Sequence, residues 1–319
     1  MPPAAGPRVD IYLPIAEIPL NLFLILGMGA AVGFVSGLFG IGGGFLLTPL
    51  LIFTGVPSAV AVATVTPQMV ASAASGALSY WRRKLIDFRL SGLLFVSGAA
   101  GTALGTWTFS ILSGRGQLDV VIAISYMVLL GIVGALMVVE AARAVIRSRR
   151  AGSRPQGRRP NSHNWIQRLP LKMRFRAARL YVSVIPIVVL GAGIGFIGSL
   201  LGVGGGFILV PALIYLLRVP TSIVIGTSLI QTLGTMVVAT VLHSVTSVSV
   251  DGLLAFIMMV GGVIGAQFGT QVGLRLRGEY LRGLLGLLVL AVGLRFGVQL
   301  VVQPADLYSL AVLEWGGRP

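Results

Sequence analysis

Two stretches of this chain, GFVSGLFGIGGGFLLTPL at Gly33–Leu50 and GFIGSLLGVGGGFILVPA at Gly195–Ala212, are copies of one another. Aligned without gaps, 10 of 18 positions are identical, and Gly40/Gly202, the two glycine triplets and Pro49/Pro211 fall in register. Consecutive glycines have no Cβ to restrict them and weaken a helix. A proline a few residues later removes a backbone donor. The sequence around both copies is apolar, so the chain is expected to break its helices at two matching places, one in each half.

Only 10% of the 319 residues are charged and 55% are hydrophobic, with a mean hydropathy of +0.94. A soluble domain carries about 25% charge, so the chain reads as an all-α polytopic membrane protein. Apolar segments run over Ile18–Phe39, Phe45–Phe53, Ala59–Tyr80, Leu90–Ser110 and Val120–Val139. They resume over Tyr181–Leu201, Phe207–Leu217, Ser222–His243, Leu253–Leu274 and Leu281–Val302. Eight are near the roughly 20 residues that a spanning helix needs, whereas the two after the glycine triplets are short. The expected fold is two repeats of about five membrane segments each, 8 full spans plus two short or re-entrant segments. The N-terminus lacks a basic stretch followed by a short apolar core, so no cleaved signal peptide is expected.

The charge is unevenly placed. Between Ala141 and Leu180 lie 12 of the 24 Lys/Arg and no Asp or Glu, including RSRRAGSRPQGRRP. This reads as a cytosolic linker by the positive-inside rule, with contact to anionic lipid headgroups as a sharper reading. Without interleaved aromatics it is a poor nucleic-acid module. The expected division is a tail over 1–17, a first repeat over 18–142, a basic linker over 143–180, a second repeat over 181–302 and a tail over 303–319. If each half crosses an odd number of times, the repeats are inverted, with 20 Lys/Arg inside and 3 outside. Parallel repeats would give 18 and 5. The charge count therefore favours inversion, with both termini outside.

Gly261, Gly265, Gly269 and Gly273 recur every four residues, as do Gly33/Gly37 and Gly40/Gly44. Small residues at this spacing let helices approach closely. The triplets Gly42, Gly43, Gly44 and Gly204, Gly205, Gly206 free backbone groups that are tolerated at membrane depth only inside protein or beside a wet cavity. The helices that follow would point their N-termini back at the breaks, which suits an anion. A tight turn between packed helices is the plainer reading. Matched helix breaks in the two halves of a membrane chain are the pattern of a transporter binding site.

A matching polar set lies on the next helix of each half. With a one-residue insertion, Thr64 aligns with Thr227, Gln68 with Gln231 and Tyr80 with His243. Residues four apart share a helix face, so Thr64/Gln68 and Thr227/Gln231 each form a cluster of neutral donors. Such donors suit an oxyanion, or else serve as glue between helices. No Asp or Glu lies in mid-segment, and Arg295 is the basic residue inside a late segment, expected to reach toward an interface. With no cysteine, thiolate metal sites and cysteine nucleophiles are excluded. The GIGFIG run at Gly193–Gly198 continues an apolar segment without a βαβ unit, and no acid–base or metal set points to an enzyme.

The doubled G-x-x-G-x-G-G-G-F motif, with GLFGIGGGFLLTPLLIFTGVP before Gln68 and SLLGVGGGFILVPALIYLLRVP before Gln231, resembles the TauE/SafE family of bacterial membrane permeases. The resemblance covers Ile18 to about Val302. It implies movement of small sulfur-containing anions, such as sulfite or sulfoacetate-like sulfonates, usually outward across the bacterial inner membrane. The residues themselves reach only a small-anion transporter, with a carboxylate carrier or a passive anion channel as alternatives. The expected site is Gly42–Gly44, Thr64, Gln68, Gly204–Gly206, Thr227 and Gln231, without a cofactor. A coupling ion, H+ or Na+, and a homodimer are left open.

Overall fold

The computed structural model describes residues 10–39, 42–150, 172–175, 180–215, 221–247, 249–273 and 278–301. Each half opens on a short antiparallel hairpin. In the first, β1 (Asp10–Leu13) pairs β2 (Ile18–Asn21), with Asp10 opposite Asn21. In the second, β3 (Lys172–Phe175) pairs β4 (Leu180–Ser183), with Lys172 opposite Ser183. The hairpins fall in the same register as the duplicated glycine motif. The doubled unit therefore begins earlier than the apolar segments do, within stretches that the sequence reading leaves to a tail and a linker.

The last residue of each hairpin starts a helix. Asn21 Oδ1 accepts the Phe23 and Leu24 N–H groups, at 3.0 and 3.3 Å, and opens α1 (Leu22–Phe39). Ser183 Oγ accepts the Ile185 N–H at 3.3 Å and opens α6 (Val184–Leu201). These are side-chain caps on otherwise orphan donors. The first half continues with α2 (Gly44–Phe53), α3 (Ser58–Arg82), α4 (Phe88–Gly114) and α5 (Leu118–Arg150). The second continues with α7 (Gly206–Tyr215), α8 (Thr221–Thr246), α9 (Gly252–Gly273) and α10 (Gly278–Val301). Helix α5 carries the chain to Arg150, into the expected linker; 151–171 and both outer tails lie outside the described residues, except for the hairpin at its N-terminal side.

Among the described residues, six helical stretches are long and apolar enough to cross a bilayer: Leu22–Phe39, Phe88–Gly114, Leu118–Leu136, Val184–Leu201, Ile223–Thr246 and Gly252–Val272. The chain is thus a multi-pass helical membrane protein. Helix α3, with 25 residues, is long enough but carries Ser58, Thr64, Thr66, Gln68 and Ser72 in buried positions. The apolar run in α10 is shorter, over Gly286–Val298.

The helices pair across the halves. Gly29, Gly33 and Gly37 of α1 meet Met258, Gly262 and Ala266 of α9 in order, so the two run parallel. Likewise Gly191 and Gly195 of α6 meet Ser97 and Gly98 of α4. A Cβ on Gly33 would run into the Gly262 backbone, and one on Gly195 into the Gly98 backbone. The glycine stripes are thus surfaces where backbone packs on backbone. The remaining long helices pair with their own counterparts, head to tail. Thr240 of α8 donates its hydroxyl to Thr66 of α3 at 3.0 Å, while Gly76 lies against Leu229. Gly134 of α5 meets Leu290 of α10, and Gly297 meets Met127.

Candidate functional site

Two turns carry the breaks. Gly42 and Gly43 have φ of +89° and +73°, and Gly204 and Gly205 have +75° and +69°. This is left-handed backbone that a residue with a Cβ enters only under strain. The Gly44 N–H turns back to the Gly42 carbonyl at 3.0 Å, and the Gly206 N–H to the Gly204 carbonyl at 2.7 Å. The first helical turn then forms: the Gly43 carbonyl accepts from Leu46 and Leu47, and the Gly205 carbonyl from Ile208 and Leu209. The two halves use the same local design.

The two breaks lie against one another. A Cβ on Gly42 would sit 3.9 Å from the Gly204 oxygen and 3.1 Å from Thr232 Cγ2, and one on Gly44 would strike the Gly202 oxygen and Met69 Sδ. Immediately beyond the turns, Phe45 and Phe207 stack with ring centroids 4.7 Å apart and planes 12° from parallel. Both rings are fully buried. The N-termini of α2 and α7 therefore come together, and the six glycines that the sequence singles out share one locus.

The polar candidates divide between two tasks. Gln68 of α3 donates from Nε2 to Ser72 Oγ at 2.9 Å and faces Gly262 of α9. Gln231 of α8 lies 3.4 Å from Thr235 Oγ1 and faces Gly98 of α4. One helical turn away, Thr64 and Thr227 tie down helix starts. Thr64 Oγ1 accepts the Asp251 N–H at 3.0 Å, and Thr227 Oγ1 accepts the Asp87 N–H at 3.3 Å. Asp251 caps α9 through Leu253 and Leu254, and Asp87 caps α4 through Arg89 and Leu90. Asp251 also takes the Ile15 and Ala16 N–H groups, which anchors the first hairpin's turn. Each threonine thus fastens its half to the other.

Several residues at the breaks escape sequence reasoning. The carbonyls freed at the end of α6 receive donors from elsewhere: Ser199 from His243 Nε2 at 3.0 Å, Leu201 from the Tyr126 hydroxyl at 2.7 Å and Gly202 from Thr48 Oγ1 at 3.2 Å. The Gly204 carbonyl receives the Thr232 hydroxyl at 3.0 Å. A carbonyl only accepts, so His243 carries its proton on Nε2 and leaves Nδ1 without a partner among the described residues. Ser36, on α1, lies against Gly43 with its hydroxyl unpaired among the described residues. Its signal in the sequence was its place beside Gly37 on the glycine-lined face. Arg295 is exposed, its guanidinium 4.4 Å from the centroid of the Phe53 ring.

Neutral hydroxyls, carboxamides and two converging helix N-termini can hold a small polar solute without a buried cation. Among the described residues, no group of three His, Asp or Glu could hold a metal ion. Helices able to cross a bilayer, wrapped around two broken ones with a polar centre, form the frame of a membrane transporter. The chain belongs to the sulfite exporter TauE/SafE family, whose sequence profile matches residues 25–296. It is 30% identical over 278 residues to a probable membrane transporter protein of Xylella fastidiosa (strain 9a5c), covering 86% of this chain and 94% of that one. It is 28% identical over 271 residues to the probable membrane transporter protein YjnA of Bacillus subtilis (strain 168), covering 85% and 98%. A second Bacillus subtilis protein, probable membrane transporter YunE, is 21% identical over 285 residues, covering 86% and 96%. These names stand among transporters rather than enzymes. No solved structure matches the chain.

Proposed function

We propose that the protein is a secondary transporter that moves small sulfur-containing anions, such as sulfite or sulfoacetate-like sulfonates, outward across a bacterial inner membrane. The observation that carries this reading is the meeting of the two glycine turns, Gly42–Gly44 against Gly202–Gly204, under the stacked N-termini of α2 and α7. Helix N-termini favour negative charge, and Gln68 and Gln231 add amide donors beside them. The substrate class and the outward direction follow the family's name.

The two halves act as inverted repeats. Helix α3 runs antiparallel to its counterpart α8, and α5 to its counterpart α10, while the pairs α1/α9 and α6/α4 run parallel. A two-fold axis perpendicular to the helices gives this pattern, whereas parallel repeats would set α3 and α8 in the same direction. Such repeats hold substrate between them and alternate access by moving one against the other. The basic linker then lies on the cytosolic side, against anionic headgroups.

The test is binding followed by counterflow. Purified protein is melted with sulfite, sulfate, sulfoacetate, taurine and dicarboxylates, since a ligand of the folded state raises its apparent stability. A rise with sulfite or sulfoacetate, and saturable counterflow of that anion in proteoliposomes, is expected. A rise with dicarboxylates alone assigns a carboxylate carrier. Flux without saturation or counterflow assigns a channel.

A further inference from the structure

The two breaks are copies in sequence, yet their surroundings differ. At the second, the Ser199, Leu201, Gly202 and Gly204 carbonyls are each met by a side-chain donor from His243, Tyr126, Thr48 and Thr232. In the alignment of the halves, the first-half counterpart of Thr232 is Met69, and the second-half counterpart of Thr48 is Val210. Neither can donate. The first break has a different inventory. Ser36 Oγ and Gln68 Oε1 are 1% and 0% exposed and have no partner among the described residues. The Ser36 Cβ lies 3.1 Å from where a Gly43 Cβ would stand, and Met69, next to Gln68, touches Gly44 through its sulfur. Ser36 therefore borders the Gly42–Gly44 turn from α1, while Gln68, on α3, faces Gly262 of α9, on which Gly33 rests one helical turn before Gly37.

Their counterparts do not repeat this. Ser36 corresponds to Gly198, which has no side chain. Gln231 Oε1 has the Thr232 hydroxyl 3.5 Å away. The methyl end of Met236 comes within 3.5 Å of where a Gly198 Cβ would stand, whereas the counterpart of Met236 is Ala73. Met236 thus covers Gly198 at the second break, where the matching place in the first holds only the Ala73 methyl group; Met69 lies instead between Gly44 and Gly204.

We propose that the substrate seat belongs to the first half alone, between Ser36, Gln68 and the Gly42–Gly44 turn, and that the second break is a fixed fastening. This rests on the transporter reading above and names where in that site the ligand lies. The serine hydroxyl can donate or accept, and the Gln68 carboxamide can turn end for end, offering two N–H donors while its carbonyl takes the Ser72 hydroxyl proton. With the N-terminus of the 10-residue α2 beside them, the seat takes one small oxyanion per chain.

The chain has no cysteine, so a single introduced thiol is a clean reporter. Ser36→Cys and Gly198→Cys are made in separate proteins, reconstituted, and exposed to sulfonatoethyl methanethiosulfonate, a small anionic thiol reagent. Modification of Ser36→Cys is expected to run at least tenfold faster than that of Gly198→Cys. Ala73→Met, which installs the second half's side chain in the first, is expected to slow the Ser36→Cys reaction at least tenfold. Equal rates at the two thiols, no reaction at Ser36→Cys, or indifference to Ala73→Met overturns the proposal. Millimolar sulfoacetate is expected to protect Ser36→Cys. Selective reaction without protection keeps the one-sided seat and removes the sulfur-anion reading, so the two ideas fail separately.

Discussion

From Gly42 and from Gly204 onward, the break after α1 and the break after α6 share their backbone, down to paired left-handed glycines and a carbonyl that receives the N–H two residues on. They part at the side chains that approach them. Thr48, Tyr126, Thr232 and His243 bind the carbonyls of the second, while in the first half the Ser36 hydroxyl and Gln68 Oε1 have no partner among the described residues. A buried polar group without a partner costs about 1–3 kcal/mol; in the seat proposed above a ligand offsets that cost at Ser36 and Gln68, whereas His243 Nδ1, beside the second break, keeps it. Duplication thus accounts for the fold, and divergence at a few positions underlies the proposed one-sided seat.

The largest effects are expected where the halves are alike. Gly33→Leu and Gly195→Leu force α1 from α9 and α6 from α4, because each glycine rests on the partner's backbone. Overpacking of this kind costs roughly 1–3 kcal/mol, and more when backbone must move. Both variants should lose most of the monodisperse protein in size-exclusion chromatography. A large loss in one and none in the other would break the equivalence of the halves. Next come the fastenings. Thr232→Val leaves the Gly204 carbonyl with the Gly206 N–H as its remaining donor and should cost about 1.5 kcal/mol, read as a lowered melting temperature. Met69→Leu, at the matching place, is close to volume-conserving and should cost less than about 1.5 kcal/mol. The reverse order would mean that Thr232 is not a fastening.

The glutamines sharpen the contrast further. Gln231→Met removes a carboxamide placed between Thr232 and Thr235 and should lower stability by about 1 kcal/mol. Gln68→Met also loses the bond to Ser72, but it removes the unpaired Oε1 as well, so melting should stay within about 0.5 kcal/mol of the parent. Sulfoacetate affinity should instead fall at least tenfold in Gln68→Met and stay within threefold in Gln231→Met, by titration calorimetry. Equal losses in both would place the ligand on the axis between the halves.

Much of this was legible in the sequence, and the rest was hidden for definite reasons. The glycine triplets and the stripes at Gly33/Gly37 and Gly261/Gly265/Gly269 carry a local signal, and the turns and helix contacts fall where it points; Gly40 lies outside the described residues. The hairpins do not announce themselves, because four-residue strands such as KMRF and LYVS lie in basic or mixed sequence with no period long enough to read. Thr64 and Thr227 share a face with the glutamines, yet their bonds go to Asp251 and Asp87 more than a hundred residues away. Only tertiary structure brings those partners together. One clue was present: an Asp just before an apolar run, as in IDFRL and VDGLL, is a helix-start signature. The asymmetry of the breaks was invisible because alignment rewards identity, and the deciding positions, Ser36/Gly198, Met69/Thr232 and Ala73/Met236, are those that differ.

The smallest expected change in stability is also the most direct probe of the first break. Ser36→Ala deletes one unpaired hydroxyl and leaves the Cβ that packs on Gly43. Removing a buried donor that has no partner should leave stability unchanged or raise it by up to about 1 kcal/mol. A structural serine would behave oppositely, since its loss would break a bond and lower the melting temperature. The reciprocal variant, Gly198→Ser, puts a side chain against Met236 and the Gly205 nitrogen, from which its Cβ would stand 3.5 and 3.4 Å. It should lower stability by about 1 kcal/mol and leave sulfoacetate affinity alone, whereas Ser36→Ala should weaken that affinity at least tenfold. If Ser36→Ala destabilises the protein and binds normally, the hydroxyl is a structural bond, and the two breaks are equivalent in function as well as in backbone.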